Sequence, residues 1–424
     1  MRLKGNAFVK NSLTLSGGVA VAQVLPFLFY PLLGRLFQAS QFGMLATVTA
    51  ITSVLAVIGS GRYESAILIA RSKDEAARLA LLSLLLGVVV LSISWGIIHF
   101  VMADTLYGWF NEPGLARWLF VCPLAAFFIV VYNVYNEWCV REGYFKALGV
   151  NKIVNSGAIA LGKVLMGVVR ICSQGLVVGD LIGRGVSAVG CALRAWMHDG
   201  RSFAAVRLHD LPPMALRYKE FPFFTLPGQL LNTVGKALPV FFIVRRFGSA
   251  QVGFYSMAMA LFSVPVNIIS TAVRDVYRQR ANEEFAAQGN CRRSFDSVLL
   301  LFTAMGVGAF LLFEWFLPWL TGLFLGSGWE VAGRYAQILA PAMVAMFVSN
   351  SLSGLFIVAG KLRQFFWWQF YFAAITLLSL WLGGVLFDSI EGMLALFAAG
   401  RASAYIASIV MTRHYSKGVT IKVC

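Results

Sequence analysis

Residues 44–70 read MLATVTAITSVLAVIGSGRYESAILIA, an apolar run holding one arginine and one glutamate, Arg62 and Glu64, with a tyrosine between them. A stretch this long and oily is what a membrane-crossing helix needs, about 20 residues for ~30 Å of hydrocarbon. The two charges then need a reason, because a charge at the bilayer centre costs ~2.5–3.5 kcal/mol even on insertion scales. If the helix begins near Gln41, Arg62 comes ~31 Å later at 1.5 Å per residue, which makes it an anchor snorkelling to the headgroups. That leaves Ala66-Ile67-Leu68-Ile69-Ala70 without a place in water. The alternative is a longer, tilted helix that keeps Arg62 and Glu64 inside the leaflet, facing a polar cleft, and a repeat in the chain favours it.

The rest of the chain has the same character. Of its 424 residues 59% are hydrophobic and 13% charged, and the mean hydropathy is +0.75. A soluble domain is about 45–50% apolar and about 25% charged, so these values exclude one. They predict an all-α polytopic membrane protein with about twelve transmembrane helices. The spans fall at roughly 12–34, 41–61, 79–102, 116–138, 153–173, 176–196, 221–244, 251–272, 296–318, 334–358, 364–386 and 391–411. No connection is long enough to fold as a soluble domain. The basic start, MRLKGNAFVK, leads into an apolar run too long for a signal peptide, so it reads as a retained first helix.

The net charge of +16 does not imply nucleic acid. Roughly two dozen Lys and Arg fall in alternate loops, among them Arg71, Lys73, Arg78, Arg141, Lys146, Arg278, Arg280, Arg292 and Arg293. Basic short loops mark the cytoplasmic side, which predicts that both termini are cytoplasmic. Tryptophans such as Trp109, Trp138, Trp315, Trp319, Trp329, Trp367 and Trp368 lie near span ends and read as an interfacial belt.

Enzyme chemistry is not signalled. The six cysteines are scattered and the four histidines lack ligand spacing, so neither a metal nor a disulfide framework is expected, and no cofactor is. Gly157-Ala-Ile-Ala-Leu-Gly162-Lys163 fits G-x-x-x-x-G-K, but Val164 replaces the Ser or Thr, and the stretch is inside an apolar helix rather than after a strand. No nucleophile constellation is present.

The chain repeats itself. Leu25-Pro26-Phe27-Leu28-Phe29 returns as Leu238-Pro239-Val240-Phe241-Phe242, Gln41-Phe42-Gly43 as Gln251-Val252-Gly253, and Arg62 with Glu64 as Arg274-Asp275. The three recur in the same order at nearly equal offsets, 239−26=213, 251−41=210 and 274−62=212, about half the chain. This predicts two six-helix lobes, residues 1–212 and 213–424, in parallel repeat, an arrangement in which substrate binds between the lobes. Prolines 26, 31, 222, 227 and 239 bend the corresponding helices 1 and 7.

Charges deep in the spans are Lys163, Arg184, Lys236 and Arg401, against one comparably deep acid, Asp180. Asp180 and Arg184 are spaced i,i+4 and can pair, and Gly175, Gly179, Gly183 and Ser187 give the same helix a face for close packing. Those features explain helix 6 without a ligand. Arg401, between Gly400 and Ala402, reads as a structural anchor, and Lys236 has no partner within its own helix.

FYPLLGRLFQASQFGMLATVTAITSVLAVIGSGRYESAILI (29–69), RYKEFPFFTLPGQLLNTVGKALPVFFIVRRFGSAQVGFYSMA (217–258) and WEVAGRYAQILAP (329–341) resemble, in order, segments of the Wzx-type O-antigen and capsule oligosaccharide flippases. The resemblance implies the multidrug/oligosaccharidyl-lipid/polysaccharide exporter fold, two lobes forming a V around a central cleft lined by helices 1, 2, 7 and 8. It implies a substrate, an undecaprenyl-diphosphate-linked oligosaccharide moved to the periplasmic leaflet of the bacterial inner membrane. Other polysaccharide-assembly membrane proteins are its implied partners, besides membrane lipids. It favours Arg62, Lys236 and Arg274 as diphosphate or acidic-sugar contacts, oriented by Glu64 and Asp275. Lys163, Arg184 and Arg401 are further candidates for substrate, and Asp180 and Glu64 for ion coupling. At Lys236 the chain departs from the family, which more often has a small or amide residue there. Two rivals differ in their signals. A multidrug exporter on this fold is expected to carry net acidic charge at depth, and a glycan polymerase or ligase a large loop bearing catalytic acids or bases.

Overall fold

The computed structural model describes residues 2–101, 105, 118–170 and 174–418. Among them there is no strand, and twelve helices exceed 20 residues. They are α1 (Arg2–Leu36), α2 (Ala39–Gly59), α3 (Lys73–Gly96), α4 (Cys122–Glu142), α5 (Phe145–Val169), α6 (Gly175–Ala204), α7 (Leu226–Phe247), α8 (Ser249–Gln288), α9 (Arg292–Phe313), α10 (Glu330–Leu352), α11 (Leu362–Leu386) and α12 (Ile390–Ser416).

Ten of the twelve are long and apolar enough to cross a membrane; α4 and α7 are not. The reason is in their sequences. α4 carries Asn133, Asn136, Glu137, Arg141 and Glu142, and α7 carries Gln229, Asn232, Thr233 and Lys236 before Arg245 and Arg246. Such residues persist at membrane depth where protein or water, not lipid, meets them. Elsewhere large apolar side chains face outward, among them Val168, Leu193, Leu300 and Val385. In water that surface would aggregate, and in a bilayer it is solvated. The chain is a multi-pass membrane protein.

By packing the chain divides into Met1–Gly253 and Phe254–Cys424. The division falls beyond residue 212 because α7 packs on α2.

In the first unit α5 lies against α6 and α1 against α5. Glycine makes this possible: a Cβ on Gly179 would sit 2.6 Å from the carbonyl of Gly162, and one on Gly183 2.6 Å from Ala158 O. A core of Tyr63, Ala66, Ile67, Leu79, Trp138, Leu211 and Tyr218 closes one end. In the second unit α10 and α11 both pack on α12, over Tyr277, Phe295, Phe302, Phe347 and Leu352.

The repeated glycines meet. α2 opens with Ala39-Ser40-Gln41-Phe42-Gly43 and α8 with Ser249-Ala250-Gln251-Val252-Gly253, each a small residue four before glycine. A Cβ on Gly43 would collide with Ser249 O, and one on Gly253 with Ala39 O, so each glycine faces the small residue of the other copy. This is the close backbone approach that small-xxx-small pairs permit.

Two expectations about helix ends are corrected. α2 does not run on past Arg62. It stops at Gly59, the chain turns through Gly61 and Arg62, both at positive φ, and Tyr63–Ile69 forms a 3-10 segment. Ala66 and Ile67 are fully buried there against α3 and α4, so the apolar run that seemed to demand a longer helix is core. α8, by contrast, does not stop near 272. It continues to Gln288, roughly 60 Å in all, and from Arg274 onward its sequence turns charged.

The tryptophan belt also splits. Trp315, Trp319 and Trp367 are exposed, whereas Trp138 and Trp329 are buried, and Trp109 lies outside the described residues.

Candidate functional site

Arg62 is held in the left-handed region, φ 61°, which costs a non-glycine residue about 1–3 kcal/mol. What holds it is its own neighbourhood. Its amide donates to Ser60 Oγ (3.3 Å), Nη1 to Glu64 Oε1 (2.8 Å) and Nη2 to Ser65 Oγ (2.8 Å). The Glu64 side chain is 2% exposed, and its Oε2 has no hydrogen-bond partner among the described residues. Glu137, half-buried on the adjacent α4, is within electrostatic reach of both Glu64 and Arg62. One guanidinium is thus paired with Glu64 and has a second carboxylate, that of Glu137, in its wider neighbourhood. Glu137 was missed because it sits at the end of an aromatic-rich span, YNVYNEW, where a charge reads as interfacial.

Lys163, Asp180 and Arg184 form one cluster. Asp180 Oδ1 takes Lys163 Nζ at 3.0 Å and Oδ2 takes Arg184 Nε at 2.5 Å, all three side chains being at most 18% exposed. The i,i+4 pair was legible on one helix, but Lys163 reaches it from α5 across the glycine seam. This carboxylate, bonded to a cation on each helix, ties α5 to α6.

The remaining candidates stand apart. Lys236 is exposed on α7, at i, i+4, i+7 spacing with the buried Val240 and Ile243, and no ion pair engages it among the described residues. Arg274 lies on α8, half-buried, also without an ion pair among the described residues. The side chain of Asp275 lies outside the described residues. Arg401 sits over the rings of Phe372, Phe397 and Tyr405 at 5.2, 5.4 and 5.7 Å and donates to Tyr405 Oη at 2.9 Å. Its charge is balanced by aromatic faces, not by a carboxylate, and its Nε is unpaired. No hydrogen bond or ion pair joins these groups to one another among the described residues.

A second network was not foreseen. Asp199, 5% exposed at a kink in α6, accepts from Lys73 (2.5 Å) and from Trp138 Nε1 (2.8 Å). Arg217 pairs with Glu75 at 2.6 Å, Arg78 with Asp210 at 3.6 Å, and Tyr63 donates to Ala215 O at 3.1 Å. Burial raises the Tyr63 phenol above its ordinary value, so it remains a neutral donor. These bonds fasten the 205–221 connection to the 3-10 segment and to the start of α3. No group of three or more His, Cys, Asp or Glu is placed to hold a metal among the described residues.

Comparisons with known proteins give the family and the fold. Residues 32–333 match the family model described as polysaccharide biosynthesis protein, and the chain belongs to that family. It is 22% identical over 374 residues, 87% of this chain and 72% of the other, to the succinoglycan biosynthesis transport protein ExoT of Rhizobium meliloti (strain 1021). In fold it is similar to the lipid II flippase MurJ in an inward closed conformation, with TM-score 0.73 and 9% identity over 95% of this chain and 87% of that one. It is also similar to an outward-facing MATE-family multidrug resistance transporter of the MOP superfamily, with TM-score 0.62 and 17% identity over 96% and 95%.

Proposed function

We propose that the protein is a flippase that carries an undecaprenyl-diphosphate-linked oligosaccharide from the cytoplasmic to the periplasmic leaflet of the bacterial inner membrane, with both termini cytoplasmic. The observation that carries this reading is the distribution of unpaired charge. The deep acid Asp180 is fully engaged, whereas Lys236, Arg274 and Arg401 have no carboxylate partner among the described residues. Ammonium and guanidinium groups are what a diphosphate requires. Family membership and the likeness to a succinoglycan transport protein and a lipid II flippase support the same class of cargo.

The MATE likeness supports a second reading, export of drugs on the same fold. A cationic drug needs acidic charge at depth, and the Glu64–Glu137 pair is the feature that favours it. Under the flippase reading that pair is instead the candidate for ion coupling, ahead of Asp180.

Complementation tests the proposal. Deleting the gene should make lipid-linked repeat units accumulate and surface polysaccharide disappear, and expression in trans should reverse both. Unchanged surface polysaccharide with heightened drug sensitivity would favour the second reading. A fluorescent reporter fused after Cys424 should glow and a periplasmic phosphatase there should be inactive, the reverse pattern overturning the orientation.

A further inference from the structure

The second half of α8 and the first turns of α9 form a half-open cavity of about 370 Å³ lined by none of the candidate residues. Its wall is Val273, Tyr277 and Arg280 from α8 with Arg293, Ser294, Ser297 and Val298 from α9. Charged residues begin on α8 at Arg274 and end on α9 at Asp296, so the cavity lies where both helices change from apolar to charged. The chemistry is graded along both helices in the same sense. Val273 precedes Arg280 by about two helical turns along α8, and Val298 lies more than a turn beyond Arg293 along α9.

Its outer end carries excess positive charge. Arg280 shares Glu284, whose Oε1 it meets at 3.3 Å and which also accepts from Ser294 Oγ. Arg293 is exposed and has no ion-pair partner among the described residues, while Asp296 is taken by Arg292 (3.5 Å) and Arg413 (3.4 Å). Ser297 donates to Arg293 O at 2.9 Å, which leaves its oxygen free to accept. No side chain caps the N-terminus of α9, so its first amide groups add a positive end. Two guanidiniums and a helix start face one carboxylate, over a floor of valine and tyrosine.

We propose that this cavity binds the phosphate-bearing headgroup of an anionic membrane lipid, with Arg280 and Arg293 on the phosphate and the chain along Val273 and Val298. A free phosphate would use the arginines and leave the apolar half of the cavity empty. A lipid at the interface uses both halves. The site is separate from the cargo contacts proposed above, and its test does not depend on transport.

The full chain would be placed in phosphatidylcholine nanodiscs and titrated with phosphatidylglycerol, bound lipid being counted by native mass spectrometry. One saturable site is expected, weakened about fivefold by Arg280→Gln and about fivefold by Arg293→Gln, the worth of one arginine near a lipid surface. Ser297→Trp, which fills the cavity while keeping both arginines, should abolish it. Arg201→Gln, at an exposed arginine on α6, should leave it unchanged. Equal phosphatidylglycerol binding in wild type and in both arginine variants would overturn the proposal, as would inorganic phosphate binding as tightly as the lipid. Either arginine result stands even if the Trp variant fails to fold.

Discussion

The two halves of the chain treat their candidate cations differently. In residues 1–212 each has a carboxylate: Arg62 has Glu64, and Lys163 and Arg184 share Asp180. In residues 213–424 none has one among the described residues, since Lys236 and Arg274 make no ion pair and Arg401 rests on rings. An engaged charge holds helices together, whereas an unengaged one keeps its attraction for something that arrives. Depth in the membrane, the property the sequence displays, does not separate the two kinds.

The largest test of this contrast is at Asp180. Asp180→Ala should cost about 3–5 kcal/mol of stability, because two buried cations lose their counterion. Replacing Lys163, Asp180 and Arg184 together by leucine should recover most of it, while transport per folded molecule stays near wild type; thermal unfolding in detergent with a per-molecule export assay reads both. If export per molecule collapsed in the triple variant, these residues would belong with the unengaged set.

The next effect is at Lys236. Lys236→Glu should lower export per inserted molecule by about tenfold or more with an unaltered melting temperature, the reverse of the Asp180 pattern. Lys236→Arg should retain export. Normal export in the glutamate variant would remove this lysine from the cargo contacts.

Arg401→Leu should be milder, losing about 1–2 kcal/mol of desolvated cation–π attraction, partly regained by the apolar side chain among Phe372 and Phe397. Unfolding midpoints with Arg401→Lys alongside would separate ring contact from charge. Arg62→Gly should be similar, a net loss of about 1–2 kcal/mol, because relief of the left-handed backbone only partly offsets leaving the buried Glu64 without its guanidinium. A large loss would mean that the guanidinium does more than balance its neighbour.

Much of the fold was legible, since lipid demands long apolar helices and hydropathy reads them directly. The exceptions are informative. α4 and α7 fall short of the apolarity of a span because Asn136, Glu137, Asn232 and Lys236 interrupt them, and hydropathy alone cannot say whether protein or lipid meets those residues. The Tyr63–Ile69 segment was misjudged because apolar residues buried in protein and apolar residues in lipid look alike in sequence. Gly59 and Gly61 were the available signal, as punctuation that ends a helix. The tail of α8 escaped notice for the opposite reason: once the helix leaves the apolar zone its residues turn polar while the backbone bonds continue. Among site residues, Asp180 with Arg184 lay on one helix and could be foreseen. Lys163, Glu137 and Asp199 act across helices, where spacing carries no information.

The crossing of Gly43 and Gly253 has a mechanical side. Where helices touch through side chains, changing their angle means moving interlocked rotamers, and the packed states are discrete. Where backbone meets backbone there are no rotamers to move. The separation of the first turns of α2 and α8 is therefore set by the backbones themselves, and an alanine at either position would force the two copies of the motif apart.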